Sequence, residues 1–192
     1  MYKGNNPIAI QSRNWMIDAL LSLMKEKPYV SISIANICQR AGLSRQTFYN
    51  FFNEKDDILR FRLHECYGEM SRDLQSKKDL QMTDITDSFA RFFTNHEEFL
   101  TLMVNNGLDN IIAQGISAAI ETFSSQFAPE EKTHRCLYGN AFLTGALTRL
   151  LITWFNDTER LSPEELSELL VSIFSGNYYV FKSEEMTYGK GS

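Results

Sequence analysis

Apolar positions recur at three- and four-residue spacing along this chain, a pattern that predicts an all-α protein. Ile8, Ile10, Trp15, Ile17, Ala19, Leu20, Leu23 and Met24 mark a first helix with a broad apolar stripe, ending before Pro28. Ile34, Ile37, Cys38 and Ala41 mark a short second helix behind Ser33, whose hydroxyl is placed to cap the free N–H groups. Gly42 supplies a left-handed stop, Leu43 an apolar plug between helices, and Ser44 the next cap. A third short helix turns Phe48, Phe51 and Phe52 inward. From Asn53 a long helix carries Ile58, Leu59, Leu63, Cys66, Tyr67, Met70 and Leu74 on one side. Gly68 within it costs about 1 kcal/mol relative to Ala and marks either a bend or a close contact.

After a polar loop at 76–82, Thr83 is placed to cap a helix containing Ile85, Phe89, Phe92 and Phe93. A break near Asn95-His96 precedes a short helix with Phe99, Leu100, Met103 and Val104, stopped at Asn105-Asn106-Gly107. The next helix, over 108–127, turns Ile111, Ile112, Ile116, Ala119, Ile120, Phe123 and Phe127 inward, and Ala128-Pro129 closes it. Pro129-Glu130-Glu131 reads as a helix opening. Between Leu137 and Phe155 apolar residues fall on every side, which predicts a helix buried all round. Ser162-Pro163-Glu164-Glu165 opens a last helix with Leu166, Leu169, Leu170, Ile173 and Phe174 in a stripe, and the tail from Ser183 looks frayed. Two such helices are most simply satisfied if two copies pair them into a four-helix bundle across a twofold axis, a homodimer. The alternative is a monomer that buries everything internally.

The stretch most informative about chemistry is Ser33–Lys55, two short helices hinged at Ala41-Gly42-Leu43. Its second helix presents Arg45, Gln46, Thr47, Tyr49 and Asn50 outward and carries no carboxylate. An Arg, Gln or Asn near a recognition-helix N-terminus can reach base edges in the major groove. Ser, Thr, Tyr and the helix N–H groups more often hold phosphate. Arg45, Gln46 and Asn50 are therefore base-reading candidates, with Ser33, Ser44, Thr47 and Tyr49 as phosphate candidates alongside Lys55 and, on the first helix, Arg13. The bland reading is a helical hairpin with a polar face, and for Arg13 a solvated surface side chain. Lys3 is a candidate for an arm into the minor groove.

At these residues the segment resembles the DNA-binding domain of the TetR/AcrR family of bacterial one-component regulators. Ile32, Ser33, Ile37-Cys38, Ala41-Gly42-Leu43-Ser44, Thr47-Phe48-Tyr49, Phe52 and Lys55 fill the places of that family's pattern. One position departs: Phe51 stands where many members carry His. The resemblance implies that Ser33, Thr47, Tyr49 and Lys55 grip phosphates and that Arg45 and Gln46 meet base edges. It also implies a helix from Lys55 toward Leu74 that works as a lever, and a homodimer reading a palindromic DNA operator. The implied layout is a helix-turn-helix domain over 1–54 and a regulatory and dimerisation domain over 55–192, with 55–75 as the connecting helix. The implied function is a repressor released by an unidentified small-molecule effector. The alternative is an activator or co-regulator acting mainly through protein–protein contacts.

Charge and composition sharpen this. The net charge is −5, yet residues 1–65 hold nine Lys/Arg against six Asp/Glu, so the remainder is −8. Such a chain suits one local surface for double-stranded DNA better than indiscriminate coating. Cys38, Cys66 and Cys136 are far apart and read as reduced thiols in a cytoplasm. No signal peptide and no stretch approaching about 18 apolar residues is evident, so no membrane span is expected. His64, His96 and His134 are scattered, and no glycine loop or nucleophile motif occurs, so neither an enzyme, a metal nor a cofactor is expected. Phe89, Phe92, Phe93, Met103, Phe123, Phe142 and Arg149 are candidates for a ligand pocket. Aromatics at helical spacing are more often core, and Arg149 has rival readings as a cross-dimer partner or a rim side chain.

Overall fold

The computed structural model describes residues 6–127 and 134–179, with side chains except at 125–127 and 134–135. Nine α-helices lie within the described residues. They are α1 (Pro7–Glu26), α2 (Ile34–Ala41), α3 (Arg45–Phe51), α4 (Lys55–Gln75), α5 (Met82–Asn95), α6 (Glu97–Asn105), α7 (Asp109–Phe127), α8 (His134–Asn156) and α9 (Pro163–Phe174), with a 3-10 turn at Tyr29–Ser31. The expected arm at Lys3, the inward Phe127, the break at 128–129, the opening at 129–131 and the tail from Ser183 fall outside the described residues or side chains.

The amino-terminal helices are built as their caps dictate. Asn6 Oδ1 accepts from Ile8 N at 3.0 Å in front of Pro7, and Ser33 Oγ accepts from Asn36 N at 3.2 Å to open α2. α1 packs on α2, α3 and the start of α4 around fully buried Met16, Leu20, Ile37, Phe48, Ile58 and Leu59. The α1 stripe is narrower than its apolar residues suggest: Ile8, Ile10 and Trp15 are exposed, while the buried face runs through Ser12, Met16, Ile17, Ala19, Leu20, Leu23 and Met24.

In the carboxyl-terminal part α5 packs on α9, α7 on α8, and α4 lies against both α5 and α7. α5 begins at Met82 rather than behind a Thr83 cap, because Asp84 Oδ2 reaches back to accept from Gln81 N at 2.9 Å. Ser162 opens α9 as its capping box requires: its Oγ accepts from Glu165 N at 3.2 Å and Glu165 Oε2 accepts from Ser162 N at 2.8 Å. α8 departs from expectation. Leu151, Ile152, Trp154 and Phe155 are buried, but Leu137 (65% exposed), Tyr138 (73%) and Phe142 (72%), in the first half of the helix, lie open. A single chain supplies neighbours for only part of this helix, chiefly α7 and α6.

The two parts are fastened by polar contacts between segments distant in sequence. Tyr29 N donates to Asn106 Oδ1 at 2.8 Å, tying the 3-10 turn to the α6–α7 corner, and Lys25 pairs with Glu98. Arg60 Nε donates to Gln114 Oε1 at 3.1 Å, tying α4 to α7.

Candidate nucleic-acid interface

The angle between α2 and α3 is set by Gly42. Its φ of 68° is left-handed, and Leu43 N donates back to Cys38 O at 2.9 Å, closing the helix end as a left-handed glycine allows. Ser44 then accepts from Thr47 N at 3.0 Å through its Oγ, which also lies 2.8 Å from Thr47 Oγ1. Phe48 and Phe51 anchor α3 from beneath, so the face opposite them is forced outward. Arg45, Gln46, Tyr49 and Asn50 are exposed and Thr47 half-buried. These side chains form one polar strip with Ser44 at its head. The Phe51 departure has a structural consequence: the ring is buried against the domain core.

Acidic groups near α3 are held behind its end. Glu54, Asp56 and Asp57 all face Arg60, at 2.7, 3.8 and 3.1 Å. These carboxylates favour the charged guanidinium, chiefly through the Glu54 hydrogen bond, and move the Arg60 pKa up.

Two cations expected at phosphate are placed otherwise. The Lys55 ammonium donates to Tyr29 O at 2.8 Å and Ile32 O at 2.9 Å and sits 4.1 Å over the Tyr29 ring. Burial lowers its pKa, while nearby Asp56 acts the other way. It fastens α4 to the 3-10 turn. Arg13 lies 4.2 Å over the Phe61 ring, with Glu65 at 3.9 Å, and its enclosed Nε has no partner. Both side chains are drawn inward by an aromatic face that takes up their apolar stems and charge. Ser33 remains exposed beside α2's first turn.

The C-terminal part holds a cavity of two lobes, each partly open to solvent. The outer lobe, about 480 Å³, opens at Arg60, His64 and Gln114 between α4 and α7. The inner lobe, about 360 Å³, lies among α4, α5, α7, α8 and α9. Tyr67, Met70, Leu74, Ala119 and Phe123 line both. Of the pocket candidates, only Phe89 and Phe123 line this cavity. Phe92 stacks on Tyr67 at 4.6 Å between centroids and borders a separate polar recess. Phe93 packs on Trp154 and Phe155. Met103 is core, and Phe142 and Arg149 are exposed on α8. The residues missed are Tyr67, Met70 and Leu74, whose helical spacing gave no sign that one side of the α4 stripe borders empty space. Among the described residues no group of three or more His, Cys, Asp or Glu is close enough to hold a metal ion, and no helix is long and apolar enough to cross a membrane.

Residues 16–60, from within α1 into α4, match the family described as bacterial regulatory proteins, tetR family. That match spans the helices that build the exposed, acid-free strip. Residues 16–60 are a TetR-family helix-turn-helix region. The chain is 28% identical over 167 residues to the HTH-type dhaKLM operon transcriptional activator DhaS of Lactococcus lactis, covering 81% of this chain and 87% of that protein. Its fold is similar to that of Lin0861 from Listeria innocua, with a TM-score of 0.75 over 92% of this chain and 96% of that one at 16% identity. It is also similar to a TetR transcriptional regulator from Streptococcus agalactiae, with a TM-score of 0.60 over 86% and 94% at 12% identity. The matched region is a helix-turn-helix of the DNA-binding kind.

Proposed function

We infer that this regulator binds a palindromic operator as a homodimer, reading base edges with Arg45, Gln46 and Asn50 and holding phosphates with Ser33, Ser44, Thr47 and Tyr49. The observation that carries the reading is the strip on α3: hydrogen-bonding side chains exposed together, no carboxylate among them, and two phenylalanines fixing their direction. Donors so placed suit the acceptor-rich major groove and the phosphates beside it. Arg13 and Lys55 support the frame from within and leave the DNA-facing work to neutral groups and Arg45. Residues 1–54 act as the reading domain and 55–192 as the regulatory and dimerisation domain, with α4 between them.

The exposed Leu137, Tyr138 and Phe142 on the first half of α8 support pairing with a second copy, since large apolar side chains left in water cost free energy that burial recovers. An effector in the C-terminal cavity would act by favouring one spacing of the two reading heads over the other, and DNA and effector would then oppose each other equally.

The sign of control has two readings. Repression fits release by an effector; activation is favoured by the relative DhaS, which is named an activator. Selection of bound duplexes from a random pool tests the shared core of both. The expected result is an inverted repeat whose recovery disappears with the double substitution Arg45→Ala and Gln46→Ala. Recovery of no preferred sequence by the unaltered protein would sink it. Transcription in vitro from a promoter carrying the recovered repeat then distinguishes the signs.

A further inference from the structure

The cavity walls carry a chemical selectivity of their own. In the inner lobe the surroundings are Met82, Ile85, Phe89, Ile116, Ile120 and their neighbours, and Tyr67 is the sole titratable wall residue. The other polar groups there are engaged already: the Thr86 hydroxyl donates to Thr83 O at 3.1 Å and lies 2.9 Å from Ser167 Oγ, and Ser124 Oγ donates to Asn140 Oδ1 at 3.5 Å. Tyr67 is held protonated because burial pushes its pKa far up, and its hydroxyl is enclosed in the wall without a hydrogen-bond partner. In the outer lobe the charged wall residue is Arg60, flanked by three carboxylates, Glu54, Asp56 and Asp57, with its Nε on Gln114. The mouth thus offers no surplus positive charge, and the interior offers one uncommitted donor, the enclosed Tyr67 hydroxyl. An ionised ligand entering here would exchange its water for at most that one neutral donor and no counter-charge, and a polyol would lose several hydrogen bonds at once.

We propose that this cavity takes an uncharged, elongated and mainly aliphatic molecule lying across both lobes, its one polar end at the Arg60, His64 and Gln114 mouth. The shared walls at Met70, Leu74, Ala119 and Phe123 make the two lobes one continuous site, and volumes of about 480 and 360 Å³ match those of small-molecule sites. The proposal rests on the reading of the chain as an effector-controlled regulator.

The test uses the full chain and the neutral fluorophore N-phenyl-1-naphthylamine, displaced at neutral pH by decan-1-ol, decanoate or glycerol. Saturable binding of the probe, displacement by decan-1-ol at concentrations at least about tenfold below decanoate, and no displacement by glycerol are the expected results. Ala119→Trp, which fills the junction of the lobes, abolishes probe binding while leaving DNA binding intact. Met82→Lys, on an exposed edge of the inner lobe, puts a cation at the rim and narrows the gap between decanoate and decan-1-ol without disturbing the core. Decanoate matching or beating decan-1-ol, absence of saturable probe binding, or a gap unchanged in Met82→Lys would overturn the proposal. Operator binding is measured on the same protein by anisotropy. Failed displacement with selective DNA binding intact removes this inference alone, whereas loss of DNA selectivity removes the regulator reading and leaves the displacement order standing.

Discussion

Single residues set the reading head's geometry. Gly42 holds φ at 68° with open space around it, so a side chain there meets no neighbour but does meet the left-handed backbone penalty. Gly42→Ala is expected to cost about 1 kcal/mol in denaturant unfolding and to weaken operator binding through the changed angle of α3. His96 makes a pH prediction. Burial lowers its pKa below the usual 6.5, Glu69 opposing and Arg62 assisting. The folded state therefore takes up its proton less readily than the unfolded chain does. Its contribution is complete above about 6.5 and is lost as pH falls from there toward the lower folded value. The difference in unfolding free energy between the parent and His96→Gln should shrink across that window, and a pH-independent difference would contradict the assignment. At this scale the sequence was legible where chemistry is local: Ser33, Gly42, Ser44 and Ser162 cap or stop helices as their neighbours predict. It was not legible where a side chain chooses among distant partners. Nothing in the spacing of the residues signalled that Lys55 would sit over the Tyr29 ring or Arg13 over the Phe61 ring.

Of two glycines on α4 and α7, one decides how the helices sit together. Gly68 is conspicuous in the sequence, but a Cβ there would meet only the flexible Arg72 Nη1 at 3.5 Å, so it marks no close packing. Gly115 on α7, unremarked in the sequence, is the true close approach: a Cβ would lie 3.1 Å from Leu63 Cδ1 and 3.2 Å from Tyr67 Cε2. Gly68→Ala should stabilise the protein by about 0.5–1 kcal/mol through helix propensity, and Gly115→Val should destabilise it by about 1–3 kcal/mol by forcing α4 from α7. Thermal and denaturant unfolding of the two variants checks both, and opposite signs are the prediction. Helix periodicity located the elements because it is a property of one segment. Which glycine is crowded depends on what another segment brings against it, and no spacing rule carries that information. The same reason explains why Phe89 and Phe123 line the cavity while Phe92 and Phe93, equally well spaced, fill the core.

On the scale of the whole molecule, α8 carries the argument for assembly. Its wheel is apolar all round, yet one chain covers only part of it, leaving Leu137, Tyr138 and Phe142 open. Phe142→Glu is expected to convert a dimer to monomers in sedimentation equilibrium and to reduce operator affinity sharply, since two linked heads bind a repeated site far better than one. An unchanged mass would move the interface elsewhere. The layout of helices was readable from the sequence because each needs an apolar face. The fastening of Tyr29 to Asn106 and of Arg60 to Gln114, which joins the reading head to the regulatory part, emerges only once the chain is folded. The central claim is that α3 reads DNA in two copies. It is tested most directly by selecting duplexes bound by the full chain and by its Arg45→Ala, Gln46→Ala variant. The account predicts an inverted repeat with half-sites about one helical turn, roughly 34 Å, apart for the unaltered chain and none for the variant. An unchanged repeat from the variant, or no repeat from either protein, would contradict it.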